Sequence, residues 1–189
     1  MKKIAIFASG NGSNAENIIR YFEHHKSVHV SVVATNNSNA KVLKRVKKYK
    51  VNTILFTRQE LVNGQILTRL NEHGIDFIVL AGFLLKIPQI IITQYLNKII
   101  NIHPSLLPLH GGKGMYGNYV HQKVHASKDT ESGITIHFVN EKYDDGNIIF
   151  QAKCTLEPHL SVKKIAQKVH NLEMKFYPKI IESILYESD

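Results

Sequence analysis

Apolar residues along this chain fall into short continuous runs, and between them lie polar stretches with helical periodicity. Lys2 to Ala8 reads as a buried strand that ends in the polar turn Ser9-Gly10-Asn11-Gly12-Ser13-Asn14. Ile18, Ile19 and Phe22 then recur at helical spacing up to about His25. The pattern continues with a strand from about Val28 to Thr35, a helix from Ala40 to Tyr49 and a strand from Thr53 to Phe56. A third helix is expected from Glu60 to His73, with Leu61, Leu67 and Leu70 inward. Phe77 to Ala81 is almost wholly apolar, as a strand covered on both faces by helices should be. Ile99 to Ile102 is a fifth strand, and Asn118 to Ala126 is helical. Gly133 to Val139 alternates like a half-buried strand, Asn140 to Gly146 forms a tight turn, and Asn147 to Leu156 returns. Ser161 opens a last helix to about Tyr186 with Ile165, Val169 and Leu172 at core spacing, and Pro178 inside it predicts a kink or break. The expected fold is α/β and Rossmann-like: three layers, a mostly parallel sheet flanked by helices, and antiparallel strands at one edge.

Three strand ends carry candidate chemistry. In Asn101-Ile102-His103-Pro104-Ser105-Leu106-Leu107-Pro108 the amide and the imidazole stand two residues apart, on one side of an extended chain. Two prolines then set the path of the loop. The pair is either catalytic or a capping Asn beside a hydrogen-bonded His. In the first turn, glycines let the backbone approach a ligand, and the following helix offers unpaired, partly positive N–H groups. Gly10-x-Gly12-x-x-Ala15 also matches a dinucleotide fingerprint, but the second strand ends in Asn36-Asn37-Ser38-Asn39, without the acidic residue that would hold a ribose. A phosphate monoester suits this turn better than NAD; a purely structural turn is the other reading. Arg58, after the third strand, is either an anion contact or an exposed loop arginine. Gly82 to Pro88 is an unusually apolar loop that either walls a pocket for a flat ring or belongs to the core. Gly111 to Gly117 is glycine-rich enough to close over a substrate, with Lys113 as a possible anion contact.

Composition narrows the partners. The chain has 189 residues and a net charge of +9, so anionic ligands are favoured. Much of the charge lies in Lys41, Lys44, Arg45, Lys47, Lys48 and Lys50, interleaved with Val42, Leu43 and Val46 as on a solvated helix face. There is no Trp and no recognised nucleic-acid module, so no nucleic-acid partner is expected. One cysteine, Cys154, excludes an internal disulfide and fits a reducing compartment. The few apolar residues after Met1-Lys2-Lys3 are too short a run for a signal peptide or a membrane span, so a cytoplasmic protein is expected. His103, His110, His121 and His125 have no metal-site spacing, and no metal is expected.

The Ser9 to Asn14 turn, the Asn101 to Pro108 run, and Gly133 to Val139 continuing through Tyr143-Asp144-Asp145-Gly146 stand in the order of a known family. They resemble the folate-dependent formyltransferases, and among these the phosphoribosylglycinamide formyltransferase branch of purine synthesis, from about Lys3 to Tyr186. The resemblance implies formyl transfer from 10-formyltetrahydrofolate, as co-substrate, to the amine of glycinamide ribonucleotide. Asn101 and His103 would stabilise the oxyanion of a tetrahedral intermediate, with Asp144 as the partner of His103 and of a proton-carrying water. His137 would be catalytic or would support His103. Gly12, Ser13 and Asn14 would bind the phosphate; Arg58 and Glu173 would hold the rest of the ribonucleotide. Phe83, Leu84, Leu85, Lys86 and Ile87, with Val139, Asn140, Tyr143 and Asp144, would frame the pterin. Leu85 stands where many relatives have arginine, and Asp144 is chosen over Asp145 because the family pattern is Asp-x-Gly. No nucleophilic side chain is required, so Cys154 is expected to be structural. A monomer or homodimer of one domain over residues 1–189 is implied, with a phosphate-binding half to about residue 100 and a folate-binding, catalytic half beyond.

Other readings compete. A methionyl-tRNA or sugar-nucleotide formyltransferase would share the Asn–His–Asp set, but the tRNA enzyme normally adds a C-terminal domain and lacks this first turn. A formyltetrahydrofolate hydrolase usually carries an N-terminal regulatory domain. A non-catalytic nucleotide-binding module would have no need of Asn101, His103 and Asp144 together.

Overall fold

The computed structural model describes residues Met1 to Glu187. Seven strands form one sheet: β1 (Lys2–Phe7), β2 (Val28–Thr35), β3 (Asn52–Leu55), β4 (Phe77–Leu80), β5 (Ile99–His103), β6 (Glu131–Phe138) and β7 (Ile148–Thr155). Their order is β3-β2-β1-β4-β5-β6-β7. β1 to β5 pair in parallel, whereas β5–β6 and β6–β7 are antiparallel, as the sequence pattern requires. The chain runs outward from β1 to β3, then returns to β4 on the other side of β1. That reversal opens a crevice at the carboxyl ends of β1 and β4, where open α/β sheets bind ligands.

Alternate residues of β1 feed opposite faces. Ile4, Ile6 and Ala8 pack with α1 (Ser13–Phe22), α2 (Lys41–Val46), α6 (Asn118–Ala126) and α7 (Val162–Glu187). Ala5 and Phe7 pack with α3 (Arg58–Val62), α4 (Ile66–Glu72) and α5 (Gln89–Gln94). Period-two alternation through a sheet covered on both sides thus gives two cores from one strand. Phe7 contacts both Phe56 and Phe83, so the apolar loop after β4 is anchored in the second core.

Two expectations need correction. The helix expected from Glu60 to His73 is two helices, because Gly64 takes a left-handed φ of 72° between them. Its first part begins at Arg58, where Thr57 and Glu60 close a reciprocal capping box. A helix at Gln89–Gln94 adds to the expected elements, and Pro88 precedes it in extended geometry. Pro178 does not break α7, which continues through it. A proline at 178 leaves the carbonyl four residues earlier without its helical donor. That carbonyl belongs to Met174, and Asn17 Nδ2 on α1 donates to it at 2.8 Å.

Asn17→Ala should therefore cost about 1 kcal/mol of unfolding free energy, the low end of the cost of an orphaned acceptor, since this one is partly buried. In a Pro178→Ala background the backbone N–H returns and the cost should shrink to less than half. Urea denaturation of the four proteins measures this; equal costs in both backgrounds would refute the compensation.

Candidate active site

The cleft at the switch point has a volume of about 930 Å³, enough for two small substrates. One end is the turn after β1. Gly12 stands immediately before α1 with φ 75°, and a Cβ there would lie 2.5 Å from Val42 Cγ2, so glycine is required on both counts. Ser13 and Asn14 begin the helix and line the cleft with Gly10 and Asn11. The end of β2 braces the turn in place of a carboxylate. Ser9 Oγ donates to Asn36 Oδ1 at 2.7 Å, and accepts from the Leu84 N–H at 3.1 Å. Behind the turn, Glu16 is held by Lys48 Nζ at 2.7 Å and by Arg45, whose Nε also donates to the Asn11 carbonyl at 3.0 Å. Hydrogen bonds from Lys48 and then Arg45 hold the Glu16 carboxyl down to about 2.

At the other end are β5 and β6. Asn101 and His103 point to one side of β5 and pair across the sheet with His137 and Thr135. His137 Nδ1 lies 2.8 Å from the Phe138 carbonyl, which can only accept, so Nδ1 carries the proton. Its Nε2 then accepts from Asn101 Nδ2 at 3.2 Å. Burial lowers the pKa of His137 and keeps the ring neutral, with the Phe138 carbonyl a smaller opposing influence. A register shift in the β6–β7 pairing falls between Ile136 and His137, as bulges beside functional residues do. Asp144 reaches both histidines: Oδ2 is 3.4 Å from His103 Nδ1 and Oδ1 is 3.8 Å from His137 Nε2. Asp144 takes φ 53°, and its Oδ2 accepts from the Gly112 N–H at 2.9 Å. Asp145 points outward and lies 3.7 Å from Lys142.

Between the two ends lies Glu173 on α7. Its Oε2 accepts from Asn14 Nδ2 at 3.0 Å and meets His170 Nδ1 at 3.0 Å, an ion pair that raises the pKa of His170. The structure therefore gathers Asn101, His103, His137, Asp144, Gly12, Ser13, Asn14 and Glu173 around one cleft, with every residue expected to frame a pterin. Arg58 is the exception. It is exposed at the start of α3 and lines a neighbouring recess of about 510 Å³ that shares Leu85, Lys86, Ile87 and Tyr143 with the cleft. His170 joins the site beyond the residues expected from the sequence, though a His–Glu pair three residues apart on a helix is a legible signal. His121, without metal-site spacing in the sequence, is a further addition. His121 is buried against the cleft, its Nδ1 has no hydrogen-bond partner among the described residues, and burial lowers its pKa. Lys113 lines the cleft from the glycine loop.

A doubly wound α/β sheet with such a cleft at its switch point defines the class: a protein that binds its ligands at the carboxyl ends of the strands. The sequence profile of the formyl transferase family matches residues 2–181. The chain belongs to that family. It is 35% identical over 191 residues to a phosphoribosylglycinamide formyltransferase of Bacillus subtilis (strain 168), covering 98% of this chain and 95% of that one. An enzyme of the same name from Escherichia coli (strain K12) is 30% identical over 184 residues, covering 94% and 84%. Among solved structures, the phosphoribosylglycinamide formyltransferase of Anaplasma phagocytophilum superposes with a TM-score of 0.89 at 32% identity, covering 98% of this chain and 88% of that one. Glycinamide ribonucleotide transformylase 1 of Geobacillus kaustophilus also gives 0.89, at 29% identity and with 98% and 99% covered.

The Glu16 cluster yields a pH prediction. A carboxyl whose folded pKa is depressed stabilises the fold above its unfolded value and loses that contribution as pH falls through the folded one. Glu16→Gln should cost on the order of 1 kcal/mol at pH 7, since water around Lys48 screens the pair. The difference from wild type should fade between pH 4.5 and about 2, and chemical denaturation across that range reads it. A difference that is constant with pH would exclude the ion pair as its source.

Proposed function

We propose that this formyltransferase moves the formyl group of 10-formyltetrahydrofolate to the amine of glycinamide ribonucleotide. What carries the reading is the placement of a phosphate-sized helix turn and an Asn101–His103–Asp144 cluster in one cleft. The N–H groups at the start of α1, with Ser13 and Asn14, take the phosphate. Glu173, tied to Asn14, takes the sugar. The apolar loop Phe83 to Ile87 and the Val139 to Asp144 turn hold the flat ring of the folate, which supplies an activated formyl group. The fit is chemical: the cleft offers an apolar wall beside backbone donors and acceptors, and a carboxylate at the reacting end.

The amine nitrogen attacks the formyl carbon. A C–N bond forms, and the carbonyl electron pair moves to oxygen. One N–H of Asn101 is committed to His137, which leaves the other to receive the oxyanion. His103 Nδ1 donates to the same oxygen while Asp144 balances the charge of the ring. The oxyanion's electron pair then re-forms the carbonyl as the bond from the folate nitrogen to the formyl carbon breaks, and the proton lost by the amine passes, through water at Asp144, to that nitrogen. No covalent enzyme intermediate forms, and Cys154, half-buried on β7 with its pKa raised by burial, takes no part. Arg58 would meet an anionic portion of a substrate only beyond the cleft, in its neighbouring recess. The reaction is assigned to the cytoplasm; among the described residues no helix is long and apolar enough to cross a membrane.

An ultraviolet assay for release of deformylated folate tests the proposal. Release should depend on glycinamide ribonucleotide, and Asn101→Ala or His103→Ala should each lower kcat by ~10²–10³. Equal release without the ribonucleotide would make the protein a hydrolase. Retained turnover in both variants would remove these side chains from the mechanism.

A further inference from the structure

His103 presents both ring nitrogens to acceptors. Nε2 lies 2.9 Å from the backbone oxygen of His110, and Nδ1 lies 3.4 Å from Asp144 Oδ2. A carbonyl only accepts, so Nε2 keeps its proton for as long as that contact holds. Nδ1 is then the nitrogen that exchanges a proton with Asp144 or a substrate. The choice therefore depends on where the carbonyl of His110 points. His110 sits at φ 54°, a left-handed conformation that a side chain adopts at a cost and keeps only when its surroundings hold it there. What holds it is visible. His110 Nε2 is 2.6 Å from Asp129 Oδ2, and Asp129 is itself tied by its N–H to the Val124 carbonyl near the end of α6 at 3.3 Å. Two residues after His110, the Gly112 N–H donates to the same Asp144 oxygen that faces His103.

We propose that Asp129 is a positioning residue. Through the side chain of His110 it fixes the carbonyl that keeps the proton on His103 Nε2, and so reserves Nδ1 for the reaction. Only the expected effect on rate rests on the formyl-transfer reading; the state of the ring does not.

Asp129→Ala and Asp129→Glu are compared with wild type by steady-state kinetics, thermal melting and ¹H–¹⁵N spectra of ¹⁵N-histidine-labelled protein without ligand. The His103 Nε2–H signal is assigned by its loss in His103→Gln. In the alanine variant kcat should fall about tenfold or more with both KM values within about twofold, as for a misplaced reacting group. The Nε2–H signal should broaden or move, and Asp129→Glu should restore both. A folded Asp129→Ala protein with an unchanged Nε2–H signal overturns the inference, whatever its rate. So does a loss confined to KM and melting temperature, which would mark a structural tie between loop and helix. Should Asp129→Ala fail to fold, Asp129→Asn is judged by the same criteria. If wild type shows no formyl transfer, the proposed reaction fails, while the ring spectra still decide the role of Asp129.

Discussion

Everything at the β5–β6 end of the cleft depends on one constraint: polar side chains buried at that pairing must each find a fixed partner. An unpaired polar group there would cost the fold dearly. Antiparallel register sets Asn101 opposite His137 and His103 opposite Thr135. His137 is satisfied by its own strand through the Phe138 carbonyl, which leaves it a single lone pair, and that lone pair aligns the amide of Asn101. Thr135 bonds the Ser105 carbonyl and receives the Leu107 N–H and Gln151, so the proline loop after His103 is pinned from beneath. The bonds that satisfy these buried groups also fix the orientation of Asn101 and of the loop after His103.

The turn after β1 obeys a different constraint. It is held from neighbouring elements through Ser9 Oγ, the Asn11 carbonyl and Asn14 Nδ2. Bracing comes from outside: Asn36 at the end of β2, Arg45 on α2, and Glu173 on α7. α7 reaches this position as one continuous helix because Asn17 takes over the carbonyl that Pro178 releases. A proline that looks like a helix breaker in the sequence instead becomes a point of attachment between α1 and α7.

Asp144 joins the strand pair β5–β6 to the glycine loop. It lies at positive φ on the turn before β7, touches two histidines, and holds the root of the glycine loop. Gly146 keeps that turn tight, since a Cβ there would fall 1.7 Å from the Phe138 oxygen. The first acid of the Asp-x-Gly pattern thus faces the two histidines, and Asp145 lies by Lys142.

Strand and helix order, the parallel sheet with its antiparallel edge, the glycine turn after β1 and the Asn101–His103 pair were all legible in the amino-acid sequence. Each rests on local rules: period two or 3.6, glycine where φ is positive, prolines after a strand. Most of the cleft was legible only through family motifs. Glu173 is an ordinary helix charge until folding sets it against Asn14, and Arg58 is a plausible anion contact until folding sets it outside the cleft. The continuity of α7 through Pro178, the alignment of the Asn101 amide on His137 and the grip of Asp129 on His110 were decided by tertiary structure alone. Each depends on a hydrogen bond or a steric contact between residues brought together by the fold, and neither local periodicity nor composition records what a distant segment will offer.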